Sequence, residues 1–530
     1  MISAEAASAS PAAGARAGRA GDFGGFSIRW ALLLSVAGGL ALFASFPPVD
    51  AWPLAVLGPG LLVLALAGRS LRGSFGCGLA FGLSLFVPLL SWLINEAWYA
   101  WAALAGAEAV IFAALAVGQR LLLRLPYWPA AVAGWWVLAE GVRDRWPYAF
   151  PWGRLAMSQS VAPDVRWVAV GGAPLLSFLI ALAGAMLARA ALAWLGAGRV
   201  SWRLSLWPAV AAVVTAGLVL AGGLLPVDPT AGAPTARVAA IQGNVPRARN
   251  LPQQLAATQV TQNHVTATLK LAAQVKAGQR PAPDLVIWPE NATDLDPFGN
   301  PGVYDELSMA VNAIGRPILI GEVLDHPRRN VGQLWLPGRG PGAAYVKRQL
   351  VPFGEYIPFR GIISSFSPLP SLQPVDFTAG RRPVVFAVGK IRLGDVICYE
   401  VAFDHLVRSE VTAGANLLTV QSNDADFEID GQLGETQQQI AMARIRAVES
   451  DRAVVYVSTT GESTIIAPDG SLIAHSGVWR QAILDAQVPL VSHRTLASRV
   501  GAWPEYVIIL LTVLALGWAV LARSRRKNPA

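Results

Sequence analysis

From residue 28 to residue 226 the chain is a succession of long, uncharged apolar runs broken by short polar turns, and one more such run lies at 504–522. Over 236–500 the pattern changes: short Val/Ile-rich runs alternate with stretches whose apolar residues recur at helical spacing. The hydrocarbon core of a bilayer takes about 20 apolar residues per helix. On that measure the first part predicts seven membrane helices, near 29–46, 51–68, 74–94, 99–119, 128–142, 167–188 and 206–225, with an eighth at 504–522. The fifth is the shortest. The middle part predicts a water-soluble α/β unit. Its candidate strands are Ala236–Gln242, Asp284–Trp288, Pro317–Val323, Ala344–Val346, Pro383–Val388, Ile391–Cys398, Asn416–Val420 and Ala453–Ser458, with a hairpin over Ser463–Ala474 turning at Asp469-Gly470. Its candidate helices are Pro252–Ala277, Val303–Ile314, Val401–Thr412 and Gly434–Glu449. Strands interleaved with helices argue for layered packing. Neither an internal repeat nor a Gly-rich phosphate loop is visible in the sequence.

Charge then orients the helices. Lys and Arg collect in cytoplasmic loops, and Arg16, Arg19 and Arg29 precede the first run. Arg69 and Arg72 follow the second, Arg120 and Arg124 the fourth, and Arg199 and Arg203 the sixth, while Arg523-Ser-Arg-Arg-Lys527 follows the eighth. The alternate loops 46–50 and 95–98 carry no basic residue. Both termini are therefore expected in the cytoplasm and residues 227–503 outside. One loop breaks the rule: Arg143, Arg145, Arg154 and Arg166 fall on the expected outer side. Composition agrees with a polytopic membrane protein, at 54% hydrophobic and 14% charged residues over 530 positions. The net charge of +8 follows the loops and does not call for nucleic acid. Residues 1–27, rich in Ala, Gly and Ser, read as a disordered N-terminal segment, and 523–530 as a basic tail.

Two cysteines, Cys77 in an apolar run and Cys398 in the outer unit, give no disulfide framework. Cys398 ends a strand, Ile391-Arg-Leu-Gly-Asp-Val-Ile-Cys398, where layered α/β sheets present their site residues. Two other segments end in the same way: Asp284-Leu-Val-Ile-Trp-Pro-Glu290, and Tyr345-Val-Lys347 leading into Leu350-Val-Pro-Phe-Gly-Glu355. A free thiol has a pKa near 8.5 and needs help to become a thiolate. Glu290 is suited to take its proton, and Lys347 to face an oxyanion, a role worth about 2.7–4 kcal/mol per donor. Singly, each residue has a plain structural reading: a buried thiol, a sheet-edge carboxylate, a solvated strand lysine. Together they make a nucleophile, a base and an oxyanion donor. The rival Cys–His pairing is poorly served, because His405 lies seven residues past Cys398 on the expected helix. His264, His326, His475 and His493 are scattered without metal-ligand spacing, so no metal or cofactor is expected.

The segments Asp284–Glu290, Tyr345-Val-Lys-Arg-Gln-Leu-Val-Pro-Phe-Gly-Glu-Tyr-Ile-Pro358 and Gly394-Asp-Val-Ile-Cys-Tyr-Glu400 resemble the signatures of the carbon–nitrogen hydrolase (nitrilase) superfamily. The Pro-Phe-Gly-Glu segment, together with Gln242-Gly-Asn-Val245, is similar to the superfamily's integral-membrane branch, the apolipoprotein N-acyltransferases. The resemblance implies an α-β-β-α sandwich outside the bacterial cytoplasmic membrane, carrying a Glu290–Lys347–Cys398 triad supported by Glu355, Tyr399 and Glu400. It also implies the reaction: an acyl chain passes from a phospholipid to the cysteine as a thioester, then to the α-amino group of a diacylglyceryl apolipoprotein. The enzyme is expected to work as a monomer. Family members often carry Trp where this chain has Leu251. Two segments suggest lipid or substrate contacts: the loop Trp146–Arg154, through Trp152 and Arg154, and the Pro/Ser-broken segment 358–372, through Phe366 and Leu369. Two other classes remain open at this point. One is a membrane-anchored amidase using the same triad with water. The other is a transporter or receptor, against which the spans hold few charges, with Glu96, Glu108 and Glu140 placed near expected ends or loops.

Overall fold

The computed structural model describes residues 25–196, 202–225, 230, 232–246, 252–365, 374–425, 427 and 434–527. Each apolar run of the first part is a helix: α1 (Ile28–Ala44), α2 (Leu54–Leu66), α3 (Leu71–Leu89), α4 (Trp98–Leu122), α5 (Trp128–Arg143), α6 (Val168–Gly196) and α7 (Trp202–Leu220). By length and composition, four helical stretches among the described residues are able to cross a membrane: Leu71–Leu89, Trp98–Leu122, Pro163–Leu195 and Trp503–Leu521. Three shorter apolar helices accompany them. Lipid tails offer no hydrophobic drive between helices, so small residues set how closely backbones approach. Gly60 of α2 faces Gly184 of α6 so closely that a Cβ added to it would lie 2.9 Å from the Gly184 carbonyl oxygen.

The α/β unit is two stacked six-stranded sheets. The first contains β1 (Thr235–Gln242), β2 (Leu285–Ile287), β3 (Ile318–Asp325), β4 (Arg328–Leu336) and β5 (Gly340–Val346), with α8 (Gln253–Lys276) and α9 (Pro301–Ile314) outside it. The second contains β6 (Val385–Val388), β7 (Ile391–Ile397), β8 (Leu417–Ser422), β9 (Val454–Ser458), β10 (Thr464–Ile466) and β11 (Leu472–His475), with α10 (Asp404–Thr412) and α11 (Gly434–Ser450) outside it. The last strand, β12 (Ala482–Pro489), crosses back to pair with β1 in the first sheet, before α12 (Trp503–Lys527). The α-β-β-α order implied by the resemblance is therefore present. Strand orders are β12-β1-β2-β3-β4-β5 and β11-β10-β9-β8-β7-β6. In both, three central strands run parallel and the flanking ones antiparallel. One topology is thus used twice, a repeat the sequence does not display.

Two strands went unforeseen. β4 opens on Arg328-Arg-Asn330 and is interrupted by Gly332-Gln333, so no apolar alternation marks it, yet it pairs with β3 from Ile318↔Trp335 to Asp325↔Arg328. β12 carries Asp485 and Gln487, which read as loop; Asp485 is there to meet Arg237 on β1 at 2.9 Å. The helix expected over Val401–Thr412 is two pieces, a 3-10 turn at Cys398–Ala402 and then α10. Glu108 is also misplaced by the sequence reading. It sits in the middle of α4, fully buried, and forms an ion pair with Arg143.

Candidate active site

Glu290, Lys347 and Cys398 come from three different strand ends, and the fold brings them together. Glu290 follows β2, held tight against β3: a Cβ on Gly321 would lie 2.7 Å from the Glu290 Cα, so only glycine permits this approach. Lys347 follows β5, where its backbone N–H donates to Asn330 on β4 at 2.9 Å. Its ammonium donates to Glu290 Oε1 at 2.9 Å and to Glu355 Oε1 at 3.0 Å. Asn330 Nδ2 donates to the same two oxygens, at 2.7 and 3.0 Å. The second oxygen of Glu290 accepts from the backbone N–H of Asn423, at the end of β8, at 3.0 Å. Two carboxylates are thus clamped by one buried ammonium and one amide, a geometry in which each partner is fixed by the others.

Cys398 opens the 3-10 turn with φ at 52°, in the left-handed region. A non-glycine residue held there costs about 1–3 kcal/mol and lifts the side chain out of the strand's alternation. The thiol is nearly buried, at 8% exposure. Gln439 of α11 donates to its Sγ at 3.4 Å and also contacts Glu435 one turn earlier. Burial, then the Glu290 carboxylate, push the Cys398 thiol well above the usual range, and Lys347 opposes them. Burial also raises Glu290, with Lys347 pulling the other way and Glu355 adding to the rise. For Lys347 burial alone would lower the pKa, but Glu290, Glu355 and Cys398 together hold it well above the ordinary value. At rest this is a protonated thiol beside a carboxylate with raised proton affinity and a permanent cation. The arrangement lets a proton pass from sulfur to Glu290 while Lys347 stays charged.

The neighbours of Cys398 fasten the turn. Glu400 accepts from the backbone N–H groups of Arg348 and Gln349 at 2.7 and 2.9 Å, from that of Ile397 at 2.8 Å, and from the Tyr345 hydroxyl at 2.7 Å. It ties the residue after Lys347 to the residue before Cys398. Glu355 fixes its own loop as well, accepting from Val351 N–H at 2.8 Å. Tyr399 donates from its hydroxyl to the Ala149 carbonyl at 2.6 Å, in the loop after α5, and its ring stacks on Trp152 at 6.3 Å.

The expected lipid contacts fare differently. Arg154 is buried, and its guanidinium is forked onto Asp404 at 2.8 and 3.1 Å with Asp144 at 3.3 Å. Trp152 is buried too: its indole N–H donates to Gln438 of α11 at 2.6 Å. Phe366, Leu369 and Leu251 lie outside the described residues. At the start of the same segment, Phe359 and Ile362 are 63% and 66% exposed. Asn330, Asn423 and Gln439 were not foreseen. Asn330 sits on the strand that escaped notice, and Gln439 is one of three consecutive glutamines on a helix with nothing to single it out.

Comparison with known proteins gives one answer for both parts of the chain. Residues 38–186 match the apolipoprotein N-acyltransferase N-terminal domain, and residues 237–497 match the carbon–nitrogen hydrolase family. An apolipoprotein N-acyltransferase of Mycolicibacterium smegmatis is 37% identical over 93% of this chain and 86% of its own length. One from Azotobacter vinelandii is 31% identical over 93% of this chain and 95% of its own. Among solved structures, a mutant of the Nesterenkonia AN1 amidase from the nitrilase superfamily aligns with 52% of this chain and 96% of its own at 18% identity, with a TM-score of 0.38. Identity sustained across almost the full length, with both parts matched in order, places this chain in the apolipoprotein N-acyltransferase family.

Proposed function

We propose that the chain is an acyltransferase that moves a fatty acyl chain from a phospholipid to the α-amino group of a diacylglyceryl-cysteine on apolipoproteins, through a thioester on Cys398. The observation that carries the residue assignment is the Lys347 ammonium bridging Glu290 and Glu355 beside a nearly buried thiol. In the first half, Glu290 takes the thiol proton as sulfur attacks the ester carbonyl. The carbonyl oxygen becomes an oxyanion facing Lys347, and the C–O bond then breaks. Glu290 returns the proton to the leaving alkoxide, which departs as lysophospholipid. In the second half, the acceptor amine attacks the thioester, Glu290 receives an amine proton, and the thiolate leaves and is reprotonated. The product is an amide, and the enzyme is restored with its protons in balance. Hydrolysis would use the same groups with water in place of the amine.

The topological reading belongs to the same proposal: eight spans, both termini cytoplasmic, and the two-sheet unit outside the cytoplasmic membrane. A sixteen-carbon chain drawn into water would cost roughly 12 kcal/mol at about 0.8 kcal/mol per methylene. A nucleophile for such chains must stay at the bilayer surface, and the apolar helices that precede and follow the sheets in the chain support that placement. Exposed Phe359 and Ile362, in the loop that follows Glu355, are suited to meet the acyl chain. The test is to incubate the full chain with labelled phospholipid and no acceptor, and to seek a labelled Cys398 peptide by mass spectrometry. The adduct is expected, and Cys398→Ala is expected to abolish it. Adding a diacylglyceryl peptide should yield amide. Free fatty acid in its place would make the protein a hydrolase, and absence of any adduct would end the mechanism.

A further inference from the structure

Behind the triad, in the gap between the two sheets, lies an acid that the acyl-transfer steps do not use. Asp395 is on β7, in the strand that ends at the nucleophile, and is fully buried. Neither of its carboxyl oxygens has a hydrogen-bond partner among the described residues, although the Val396 N–H lies close enough to favour its charge. Burial first, then the Glu400, Glu410 and Glu290 carboxylates, push its pKa well above the usual range. The cations of the neighbouring loop are engaged elsewhere. Lys347 is shared by Glu290 and Glu355, while Arg348 donates to Glu410, Ser409 and the Tyr345 hydroxyl.

Gln421 faces the same space. β7 and β8 run parallel with Asp395 beside Thr419 and Ile397 beside Gln421, so at a period of two Asp395 and Gln421 project from one face. Across the gap is Gly332 of β4. A Cβ added there would lie 2.1 Å from Asp395 Oδ2 and 2.7 Å from Gln421 Oε1, so both oxygens stand over the glycine. The Gln421 amide is fixed in orientation: its Nε2 donates to the Trp288 carbonyl at 2.6 Å, and a flip would set oxygen against oxygen. Oε1 is left buried without a partner among the described residues. Two buried acceptors that converge with no donor between them are costly. One proton on Asp395 relieves both, because it gives Oε1 a donor and removes the charge that burial penalises.

We propose that Asp395 is a neutral acid that donates to Gln421 Oε1 and, through the Gln421 bond to Trp288, positions Glu290. The link is short: Pro289, with its fixed φ, is the one residue between Trp288 and the base. Asp395 is thus a positioning residue, acting on the proton acceptor from behind without touching substrate. The positioning role rests on the reading of Glu290 as the base for Cys398, whereas the proton on Asp395 can be sought without turnover.

Infrared spectra of the full-length protein, made with isotope-labelled aspartate, reveal protonated aspartates by the shift of their carboxylic-acid C=O band. Such a band is expected in the parent and should be lost in Asp395→Asn. Identical spectra would mean an ionised Asp395 and overturn the proposal, whatever the reaction. Kinetics test the positioning. Asn keeps a neutral donor toward Gln421, so Asp395→Asn should form the Cys398 thioester within about two-fold of the parent rate. Asp395→Leu and Gln421→Met should each slow that step about ten-fold with KM for phospholipid unchanged. Combining the two should slow it no further, since both break one chain of contacts. Asn as slow as Leu, or losses that add, overturns the link from Asp395 to Glu290. The rates are compared among variants that melt cooperatively; if the Leu variant does not fold, Asp395→Asn against Gln421→Met decides in the same way. A parent that forms no thioester would end the acyl-transfer reading, and the infrared band would still decide the proton on Asp395.

Discussion

Replacing Glu400 with Gln changes one atom and should disable the enzyme. The Glu400 carboxylate is fully buried and receives four donors, three backbone N–H groups and the Tyr345 hydroxyl. Glutamine offers one oxygen and one NH2. With the oxygen kept toward Arg348 and Gln349, the NH2 meets the Ile397 N–H donor to donor, while the Tyr345 hydroxyl, which already accepts from Arg348 Nε at 3.1 Å, has to turn and accept from the NH2 as well. One buried N–H is then orphaned, at about 1–3 kcal/mol, and the surviving bonds fall from charge-assisted to neutral strength, about 1 kcal/mol each. The sum is about 3–5 kcal/mol, concentrated between the residue after Lys347 and the residue before Cys398. Glu400→Gln is therefore expected to lower the unfolding midpoint in detergent and to slow thioester formation at least about a hundred-fold, because about 2.7 kcal/mol of misplacement already does so. The reasoning rests on an ionised carboxylate. Burial raises the Glu400 pKa, and the bonds from Ile397, Gln349 and Tyr345 oppose the rise. If the group were a neutral acid in the folded protein, Gln would be nearly isosteric and the cost would fall below about 1 kcal/mol. Unchanged stability together with an unchanged acylation rate would refute the account.

Three further outcomes are expected. Gln439→Ala removes the donor to the Cys398 sulfur and should slow thioester formation about ten-fold, equivalent to about 1.4 kcal/mol, without changing the unfolding midpoint by more than a few degrees; a wild-type rate in rapid-quench assays would show the contact to be idle. Glu322, buried with one oxygen on the Trp335 indole and the other unpartnered, has its pKa raised by burial from an ordinary 4.5 to about 8. The folded state therefore holds this proton more tightly, and the stabilisation is complete below about pH 4.5 and lost as pH rises through about 8. Glu322→Gln should be more stable than the parent at pH 9, by up to about 5 kcal/mol, and parallel unfolding curves for the two proteins between pH 5 and 9 would contradict this. Paired Phe359→Ser and Ile362→Ser changes should slow turnover of long-chain phospholipid several-fold while sparing a water-soluble thioester-forming substrate. Equal losses on both substrates would point to a folding defect instead.

What the sequence displayed was whatever depends on local pattern. The apolar runs became helices and the Val/Ile runs became strands. The three charged or nucleophilic residues at strand ends could be read because a strand end marks its own position. Residues acting through tertiary contact were silent. Asn330 belongs to a strand whose alternation is broken by Gly332, and that glycine is required because a Cβ there would meet the Asp395 carboxyl and the Gln421 amide. Gln439 is recognisable only once α11 lies over β8 and β9. Arg154, basic and beside aromatics, looked like a phosphate ligand because its partner Asp404 is 250 positions away in the chain.

The arginines that broke the loop-charge rule explain how the membrane helices reach the chemistry. Each has a partner: Arg143 pairs with Glu108 in the middle of α4, Arg145 with Glu505 on α12, and Arg154 with Asp404 on α10, while Arg166 donates to the Gly223 and Leu225 carbonyls. All four arginines are therefore committed to contacts inside the fold. The same pairings shape the loop between α5 and α6. Arg143 also donates to the Trp152 carbonyl at 2.5 Å, and Tyr148 donates to Glu108 at 2.9 Å, so both ends of the aromatic segment are fastened to a buried pair among the helices. The Ala149 carbonyl between them accepts from Tyr399, the residue after the thiol. Removing one member of a buried pair costs about 3–5 kcal/mol, and here the loss would be felt at the nucleophile turn as well as in the helices. The charges placed among the apolar helices act as the foundation on which the turn of Cys398 rests.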